Sequence, residues 1–372
     1  MKLISYYLPQ YHPIPENDEW WGKGFTEWTN VVKAQALFEG HYQPRFPKDL
    51  GYYDLRLAET REHQAQLAKE HGIYGFCYYH YWFGNGKKLL ERPAQEVLNT
   101  KRPDFPFCFC WANETWKGIW FGKSGATLIE QTYPGIEDYK AHFEYLLPFF
   151  EDERYIKVEG KPLFVIYIAQ NIPDLKMFTD LFRELAQKAG LNGLYLVASR
   201  WERNWNPKEN GLDAVIDPSF FEARYGKALP PIKLSIQERI LRKLRIVTKP
   251  VFEWNVEKRD KPLIFEYSEA VKYLISKEQY DFDCFPCVIP DWDNSARAGN
   301  KSLIFKNSTP ELWEKHLREG IEKVNHLPKE KQLVFVKSWN EWAEGNYLEP
   351  DQKWGKAYLE VVKKVVFNPN NP

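Results

Sequence analysis

The sequence lacks a charge surplus, a long apolar run and an apolar leader. Its 51 Lys and Arg residues balance 51 Asp and Glu residues, so the formal net charge at pH 7 is zero. Nucleic-acid-binding domains are normally basic, and we therefore expect no nucleic-acid partner. No run approaches the roughly 18 apolar residues of a membrane-spanning helix. The start, MKLISYYLPQYHP, has no apolar core followed by a small-residue cleavage site, which predicts a cytoplasmic protein.

Cysteine is scarce, and the common cofactor motifs are missing. The 372 residues include five cysteines, an odd number that does not indicate a disulfide framework. Cys108 and Cys110 alternate in the apolar run FCFCW and are predicted to be core thiols. Cys284 and Cys287 form one C-x-x-C pair, without the second pair that a zinc site needs. Phosphate-loop, dinucleotide-binding and zinc-protease signatures are absent, and we expect no metal or cofactor.

Aromatic residues are the abundant class. The chain has 15 Trp, 22 Tyr and 24 Phe residues, together 16% of the sequence. A buried indole needs a partner for its N–H, so a core makes less use of Trp than of Phe. Sugar rings have apolar faces and hydroxyl edges that suit Trp and Tyr platforms. The composition therefore has two interpretations, a carbohydrate ligand or a large aromatic core, and the Trp excess favours the first.

Continuous apolar runs predict a sheet of parallel strands, because strands buried on both faces do not alternate with polar residues. Stretches with helical spacing separate most of these runs, and Thr309 with Pro310 forms an N-cap signal for one of them. The pattern predicts an α/β fold, a single (β/α)8 TIM-type barrel over residues 1–372 with long βα-loop insertions. The predicted strands are 3–9, 73–82, 105–114, 162–169, 194–201, 213–220, 284–293 and 334–342. The predicted helices are 54–72, 136–150, 174–190, 268–280, 309–324 and 356–367.

Two segments interrupt the alternation. Residues 11–50 are predicted to be a long irregular loop that forms one wall of a cleft, because loops of this length usually have a function. Residues 222–261 form a basic insertion with an amphipathic pattern. This insertion is either a solvated helix or a peripheral membrane contact through 234–247. The oligomeric state stays open.

Polar and aromatic side chains follow most of the predicted strands, at the end where barrel enzymes place their chemistry. Glu341 and Glu344 lie three residues apart in WNEWAEG, so we expect them to face one cavity. Two carboxylates in one cavity are the minimal apparatus for acid–base chemistry on a glycosidic bond. For every candidate the alternative is a structural role, such as an ion pair or ring packing. The substrate-binding candidates are Tyr7, His12, Trp28, His41, Tyr79, His80, Trp82, Trp111, Asn113, Glu114, Asp291, Trp292, Asp293, Arg297, Trp339, Asn340, Trp342 and Tyr347.

Five longer strings carry a family resemblance. They are YYLPQYHPIPENDEWWGKGFTEW, YGFCYYHYWF, FCFCWANETW, PDWDNSAR and SWNEWAEGNYLEPD. Together they resemble the WbsX-like family, described as glycosyltransferases or lipopolysaccharide-biosynthesis proteins. That family is similar to glycoside hydrolase family 99, the endo-α-mannosidase type. The resemblance runs from Leu3 to Asp351 and also implies a (β/α)8 barrel.

The resemblance implies roles for the two glutamates. In the hydrolase family the sugar 2-hydroxyl takes part and the configuration is retained. Glu341 would then be the base for that hydroxyl, and Glu344 the acid for the leaving oxygen and later the base for water. Ala343 stands where the hydrolase motif often has histidine, which leaves mannosidase specificity open.

The predicted function is therefore a metal-independent retaining glycoside hydrolase that acts on an oligo- or polysaccharide. A glycosyltransferase or transglycosylase of surface-polysaccharide (O-antigen) biosynthesis is the first alternative. A noncatalytic glycan-binding barrel is the second.

Overall fold

The computed structural model describes residues 1–118, 126–224 and 261–368. Its centre is a ring of eight parallel strands, and each strand overlaps one of the predicted apolar runs. The predicted (β/α)8 barrel is thereby confirmed. The strands are β1 (Lys2–Tyr7), β2 (Gly75–Trp82), β3 (Phe107–Trp111), β4 (Lys161–Ile166), β5 (Tyr195–Ala198), β6 (Ala214–Ile216), β7 (Asp283–Phe285 and Cys287–Val288) and β8 (Leu333–Val336).

The ring closes through β7, which consists of two pieces on either side of Pro286. The first piece pairs with β6 and the second with β8, where Cys287 lies opposite Phe335. Phe335 in turn lies opposite Ile4, so β8 joins β1. Proline has no N–H for the ladder, but the Pro286 carbonyl accepts from the Phe335 N–H at 2.9 Å. The parallel ladder therefore continues around the circle.

Helices surround the strands. The first long one after β7 begins as expected, because the Thr309 hydroxyl accepts from the Leu312 N–H at 3.4 Å. The helices are α1 (Pro15–Trp21), α2 (Glu27–Lys33), α3 (Ala58–Glu70), α4 (Arg92–Thr100), α5 (Ile136–Phe150), α6 (Leu175–Lys188), α7 (Ser219–Arg224), α8 (Tyr267–Ala270), α9 (Ser295–Ala298), α10 (Pro310–Val324) and α11 (Ala357–Phe367). The long helices α3, α5, α6, α10 and α11 occur where the sequence predicts.

Two local predictions were wrong. Residues 11–50 are not an irregular loop throughout, because α1 and α2 lie within them. The helix predicted over 268–280 is only α8 and one 3-10 turn, because side-chain bonds capture the chain beyond it. The Ser276 N–H donates to the Asp217 carboxylate at 2.6 Å instead of to a helical carbonyl. The segment 234–247, predicted as a possible membrane contact, lies outside the described residues.

Several short strands lie outside the eight-stranded ring. The segments Leu263–Glu266, Leu303–Lys306 and Trp292–Asp293 form a three-stranded sheet. Two-stranded pairs are formed by Trp116–Lys117 with Thr127–Ile129 and by Asn340–Glu341 with Asn346–Tyr347. Lys88–Leu89 pairs antiparallel with the end of β2, and Lys157–Val158 pairs antiparallel with the start of β4. Among the helices of the described ranges, none is both long and apolar enough to cross a bilayer.

Candidate active site

The chain after β8 folds back on itself in a tight turn. Asn340–Glu341 pairs with Asn346–Tyr347, and a 3-10 turn, Trp342–Glu344, connects the two. Gly345 has φ +58°, and a Cβ there would lie 2.8 Å from Asp293 Cβ and 2.9 Å from Arg45 Cζ. Only glycine fits this close approach at a positive φ. The turn is thus fixed by the packing beneath it.

Asn340 attaches the turn to the end of β1. Its side-chain oxygen accepts from the Leu8 N–H at 2.7 Å, and its side-chain nitrogen donates to the Leu8 carbonyl at 3.0 Å. This two-bond contact uses both ends of the amide group. Asn340, a candidate for substrate binding, therefore holds backbone instead.

Glu341 and Glu344 meet at the guanidinium of Arg297 in α9. Arg297 Nη2 lies 3.1 Å from Glu341 Oε2, and Nη1 lies 2.9 Å from Glu344 Oε1. The two glutamates are only 4% and 5% exposed. The turn thus directs both carboxylates to one point at the carboxyl end of β8.

Two further charged residues complete this cluster, and the candidates named from sequence did not include them. Lys337 Nζ lies 3.6 Å from Glu341 Oε1 and 3.5 Å from Glu344 Oε2. Glu27 of α2 accepts from Arg297 Nε at 2.7 Å. Lys337 directly follows the buried run of β8, an unusual place for a charge, and that position was an available signal. Glu27, inside the first long loop, had no comparable signal.

Burial and pairing oppose each other in this charge cluster. Burial raises the pKa of Glu27, and the positive charge of Arg297 opposes that rise. Burial acts to lower the pKa of Arg297, but Glu27, Glu344 and Glu341 hold it well above its usual value. Arg297 therefore stays charged, and the cluster contains two cations and three carboxylates.

Tyr79 joins the charge cluster from inside the barrel. Its hydroxyl accepts from Lys337 Nζ at 3.3 Å. Its ring stacks on Tyr6 at 5.4 Å, and the Tyr6 hydroxyl is 3.0 Å from the Ser199 hydroxyl across the ring of strands. Trp292 also lies near the same ammonium group, with Lys337 Nζ 5.6 Å from its ring centre.

A second polar cluster lies beneath the turn. Arg45 Nη1 donates to Asp291 Oδ2 at 2.8 Å and to the Gly345 carbonyl at 3.0 Å. Burial raises the pKa of Asp291, and Arg45 opposes that rise. The side chain of Arg45 thus supports the backbone next to Glu344, while its charge is balanced by Asp291.

Asp293 belongs to this second cluster and accepts from the first loop. The Gln43 amide donates to it at 2.8 Å, and His41 Nε2 lies 2.9 Å from it. The Leu37 N–H donates to His41 Nδ1 at 3.0 Å, so Nε2 is the nitrogen that donates to Asp293. Burial alone would raise the pKa of Asp293, but His41 and Arg45 hold it at about 2. Asp293 is therefore a fixed anion.

Aromatic rings form the wall behind the turn. Trp342 stacks on Tyr347 at 3.8 Å and contacts Trp28 at 5.5 Å. The indole N–H of Trp342 donates to Glu349 at 2.6 Å. Burial raises the pKa of Glu349 to about 7, against the donors that surround it, Trp342 first among them. Tyr347 donates to Asp351 at 2.8 Å.

Four candidates lie on the outer faces of the strands, away from the charge cluster. Successive side chains on a strand face opposite sides, so a shift of one position separates interior from exterior. Tyr7 donates to Gln64 of α3 at 2.7 Å. The corresponding contacts of the other three are His80 with His142 of α5 at 2.9 Å, Trp82 with Asp138 of α5 at 3.1 Å, and Trp111 with the Trp82 carbonyl at 2.9 Å. These contacts place all four between the barrel and its helices.

The remaining candidates also have structural surroundings. Asn113 donates to the Ile168 carbonyl at 2.8 Å and accepts from the Ile168 N–H at 2.8 Å, which ties β3 to β4. Glu114 forms an ion pair with Arg200 at 3.1 Å near the surface. His12 is buried, and burial lowers its pKa to about 4. Trp339 packs on Phe76 at 5.2 Å. The structure does not bring these four to Glu341 and Glu344.

Comparisons with known proteins show the family of the chain. The profile of a family described as "Glycosyltransferase WbsX" matches residues 3–362. A protein of Xanthomonas campestris pv. campestris named "Uncharacterized protein WxcX" is 34% identical over 365 residues, which are 98% of this chain and 49% of that protein. The chain belongs to the WbsX glycosyltransferase family, a family described by a carbohydrate-active function. It spans about half the length of the curated relatives it matches.

Solved structures share the fold. A "Glycoside hydrolase-like protein" has a TM-score of 0.59 at 16% identity, with 98% of this chain and 93% of that one covered. A GH99 endo-alpha-mannosidase from Bacteroides thetaiotaomicron has a TM-score of 0.55 at 14% identity, with 98% and 96% covered. Both resemblances are thereby confirmed. At these identities, the likeness to the solved glycoside hydrolases concerns the fold alone.

Proposed function

We propose that the protein hydrolyses a glycosidic bond in an oligo- or polysaccharide with retention of configuration. Glu341 and Glu344 are the proton-transfer pair. The observation that carries this proposal is their convergence, buried, on one guanidinium at the carboxyl end of β8. Catalytic residues of barrel enzymes occupy this end. The fold that the chain shares with an endo-alpha-mannosidase supports it.

The reaction divides into two displacements at the anomeric carbon. In the first, Glu341 accepts the proton of the sugar 2-hydroxyl while the 2-oxygen attacks the anomeric carbon. Glu344 gives its proton to the leaving oxygen, and the glycosidic bond breaks. In the second, Glu344 accepts a proton from water as the water oxygen attacks the same carbon, and the bond between that carbon and the 2-oxygen breaks. The 2-oxygen recovers its proton from Glu341, and two inversions retain the configuration.

Transfer to a sugar acceptor is the second candidate function. The description of the family as glycosyltransferases favours it. On this alternative an acceptor hydroxyl replaces water, and the enzyme works in the cytoplasm on the assembly of surface polysaccharide such as lipopolysaccharide.

The test is turnover of labelled mannose- and rhamnose-type oligosaccharides, with and without nucleotide sugars. We expect the parent protein to cleave at least one of them without a nucleotide sugar. Glu341→Gln and Glu344→Gln should each lower the rate by about 100-fold or more, because each removes a proton-transfer group. Turnover only with a nucleotide sugar supports transfer, and glycan binding without any turnover supports the noncatalytic barrel.

Glu349→Gln is the matched control. Glu349 is buried in the same stretch, and its Oε2 accepts from Tyr53 and Trp342. A glutamine oxygen can accept both of these bonds, but the bond that Gln64 donates to Oε1 at 2.6 Å is lost, so thermal melting must show that the variant folds. We expect activity within a few-fold of the parent. If all three variants lose activity equally, loss of the fold explains the result and the assignment fails.

A further inference from the structure

The geometry points to Glu27 and Arg297 as a positioning pair that aligns Glu341 with Glu344 and sets the charge around them. This inference rests on the proposed function and assigns that site two residues from other parts of the chain. Neither residue reacts with the sugar. Both act through the two carboxylates.

The first argument is the use of the guanidinium. Its Nε donates to Glu27 at 2.7 Å, Nη1 to Glu344 at 2.9 Å and Nη2 to Glu341 at 3.1 Å. The guanidinium is planar and its N–H directions are fixed. Once Glu27 holds Nε, the orientation of the guanidinium is restricted, and its two terminal nitrogens are directed at Glu344 and Glu341. Glu27 therefore determines where Glu341 and Glu344 are held.

The second argument is the burial of Glu27. The residue is 1% exposed, and a buried carboxylate is costly unless it is paired. Its helix α2, the helix α9 and the turn Trp342–Glu344 pack against one another. The first loop thus brings a charge from the start of the chain to a site formed near its end.

The third argument is charge balance. Arg297 and Lys337 supply two positive charges to three carboxylates. Without the charge of Glu27, two cations would face only Glu341 and Glu344, and both ionised forms would gain stability. A proton on Glu344 would then be harder to keep. In the described part of the chain, the ionisable groups that face these two glutamates include Glu27 from α2, Tyr11 from the first loop, Tyr79 and Tyr81 from β2, Arg297 from α9 and Lys337 after β8.

The test is the pH profile of kcat/KM for Glu27→Gln on the oligosaccharide that the parent cleaves. Glutamine keeps an acceptor for Arg297 Nε but removes the charge. Loss of a negative charge lowers the pKa of neighbouring acids. The acid limb and the alkaline limb of the kcat/KM profile should therefore both move to lower pH by roughly one unit. Glu27→Asp keeps the charge but shortens the reach, and should lower kcat without moving the limbs. Thermal melting checks that each variant folds.

Glu16→Gln is the charge-matched control. Glu16 lies in the same first loop as Glu27 and forms an ion pair with Lys87 near the surface. It should leave the profile unchanged. If Glu27→Gln lowers the rate equally at every pH, its role is only structural, and the inference is overturned while the hydrolase proposal stands. If Glu27→Gln does not fold, Glu27→Asp decides. A parent-like pH profile together with a parent-like kcat in Glu27→Asp would overturn the inference. A parent protein that cleaves none of the glycans overturns both.

Discussion

Three buried histidines make the stability of this protein depend on acid. Burial lowers the pKa of His80 and His316 to about 3, and it lowers the pKa of His142 well below the ordinary value. A histidine whose folded pKa lies below its unfolded pKa of about 6.5 takes up a proton only on unfolding. Stability from these residues is therefore complete above about pH 6.5 and falls as the pH drops below it.

His316 isolates this effect. In the described part of the chain, neither of its ring nitrogens has a hydrogen-bond partner. Between pH 7 and pH 5, the free energy of unfolding should fall by about 2 kcal/mol less in His316→Leu than in the parent. The slope for one such histidine is about 1.4 kcal/mol per pH unit. Urea unfolding at the two pH values measures the difference.

His63→Leu is the control for His316→Leu, because His63 is exposed on α3. It should keep the pH dependence of the parent. An equal loss of stability between pH 7 and pH 5 in the parent and in His316→Leu would contradict the account of His316.

At the scale of single residues, sequence reasoning identified part of the site. Glu341 and Glu344 were predicted to face one cavity, and the structure brings them to one guanidinium. The sequence could not show that Tyr7 and His80 lie on the outer faces of their strands, because strands buried on both faces have no polar alternation to reveal the inner face. Glu27 lies in the loop predicted to form one wall of the cleft, but its pairing with Arg297, 270 residues away, could not be predicted.

The turn after β8 is the element on which the proposed chemistry depends. Asn340 fixes its start to β1, and Gly345 fixes its end against Arg45 and Asp293. Glu341 and Glu344 lie between these two points. A change at either end should therefore move the glutamates without touching them.

Gly345→Ala tests the dependence on this turn. The added methyl group would overlap Arg45 and Asp293, at a φ that alanine rarely adopts. We expect a loss of about 2–4 kcal/mol in the free energy of unfolding and a clear fall in kcat, because strain and crowding add. Chemical unfolding and turnover of the cleaved oligosaccharide measure the two effects.

Gly355→Ala separates the effect of backbone strain at a positive φ from the effect of steric crowding. Gly355 has φ +56°, but a Cβ there would meet only the end of the Lys48 side chain at 3.5 Å. The variant should lose about 1 kcal/mol and keep full activity. Equal losses in both alanine variants would show that the packing against Arg45 and Asp293 is unimportant.

The secondary structure could be predicted wherever the local pattern decides it. The eight strands and the long helices α3, α5, α6, α10 and α11 follow from apolar runs and helical spacing. The helix predicted over 268–280 failed because Asp217 and Arg203, distant in sequence, bind Ser276. Hydrogen bonds of this kind depend on tertiary neighbours, so nothing in the local sequence predicts them.

At the scale of the whole molecule, the barrel brings distant parts of the chain to one end. The charge cluster combines α2 near the start, α9 after β7 and the turn after β8. Closure of the ring between β8 and β1 makes the first and last strands neighbours. Because of this closure, the first loop lies beside the last turn, and Glu27 can reach Arg297.

The configuration of the first product tests the central claim most directly. Proton NMR during early cleavage of an oligosaccharide distinguishes the anomers before they equilibrate. The proposed pair of displacements predicts that the sugar released first has the configuration of the bond that was broken. An inverted first product would contradict the roles of Glu341 and Glu344.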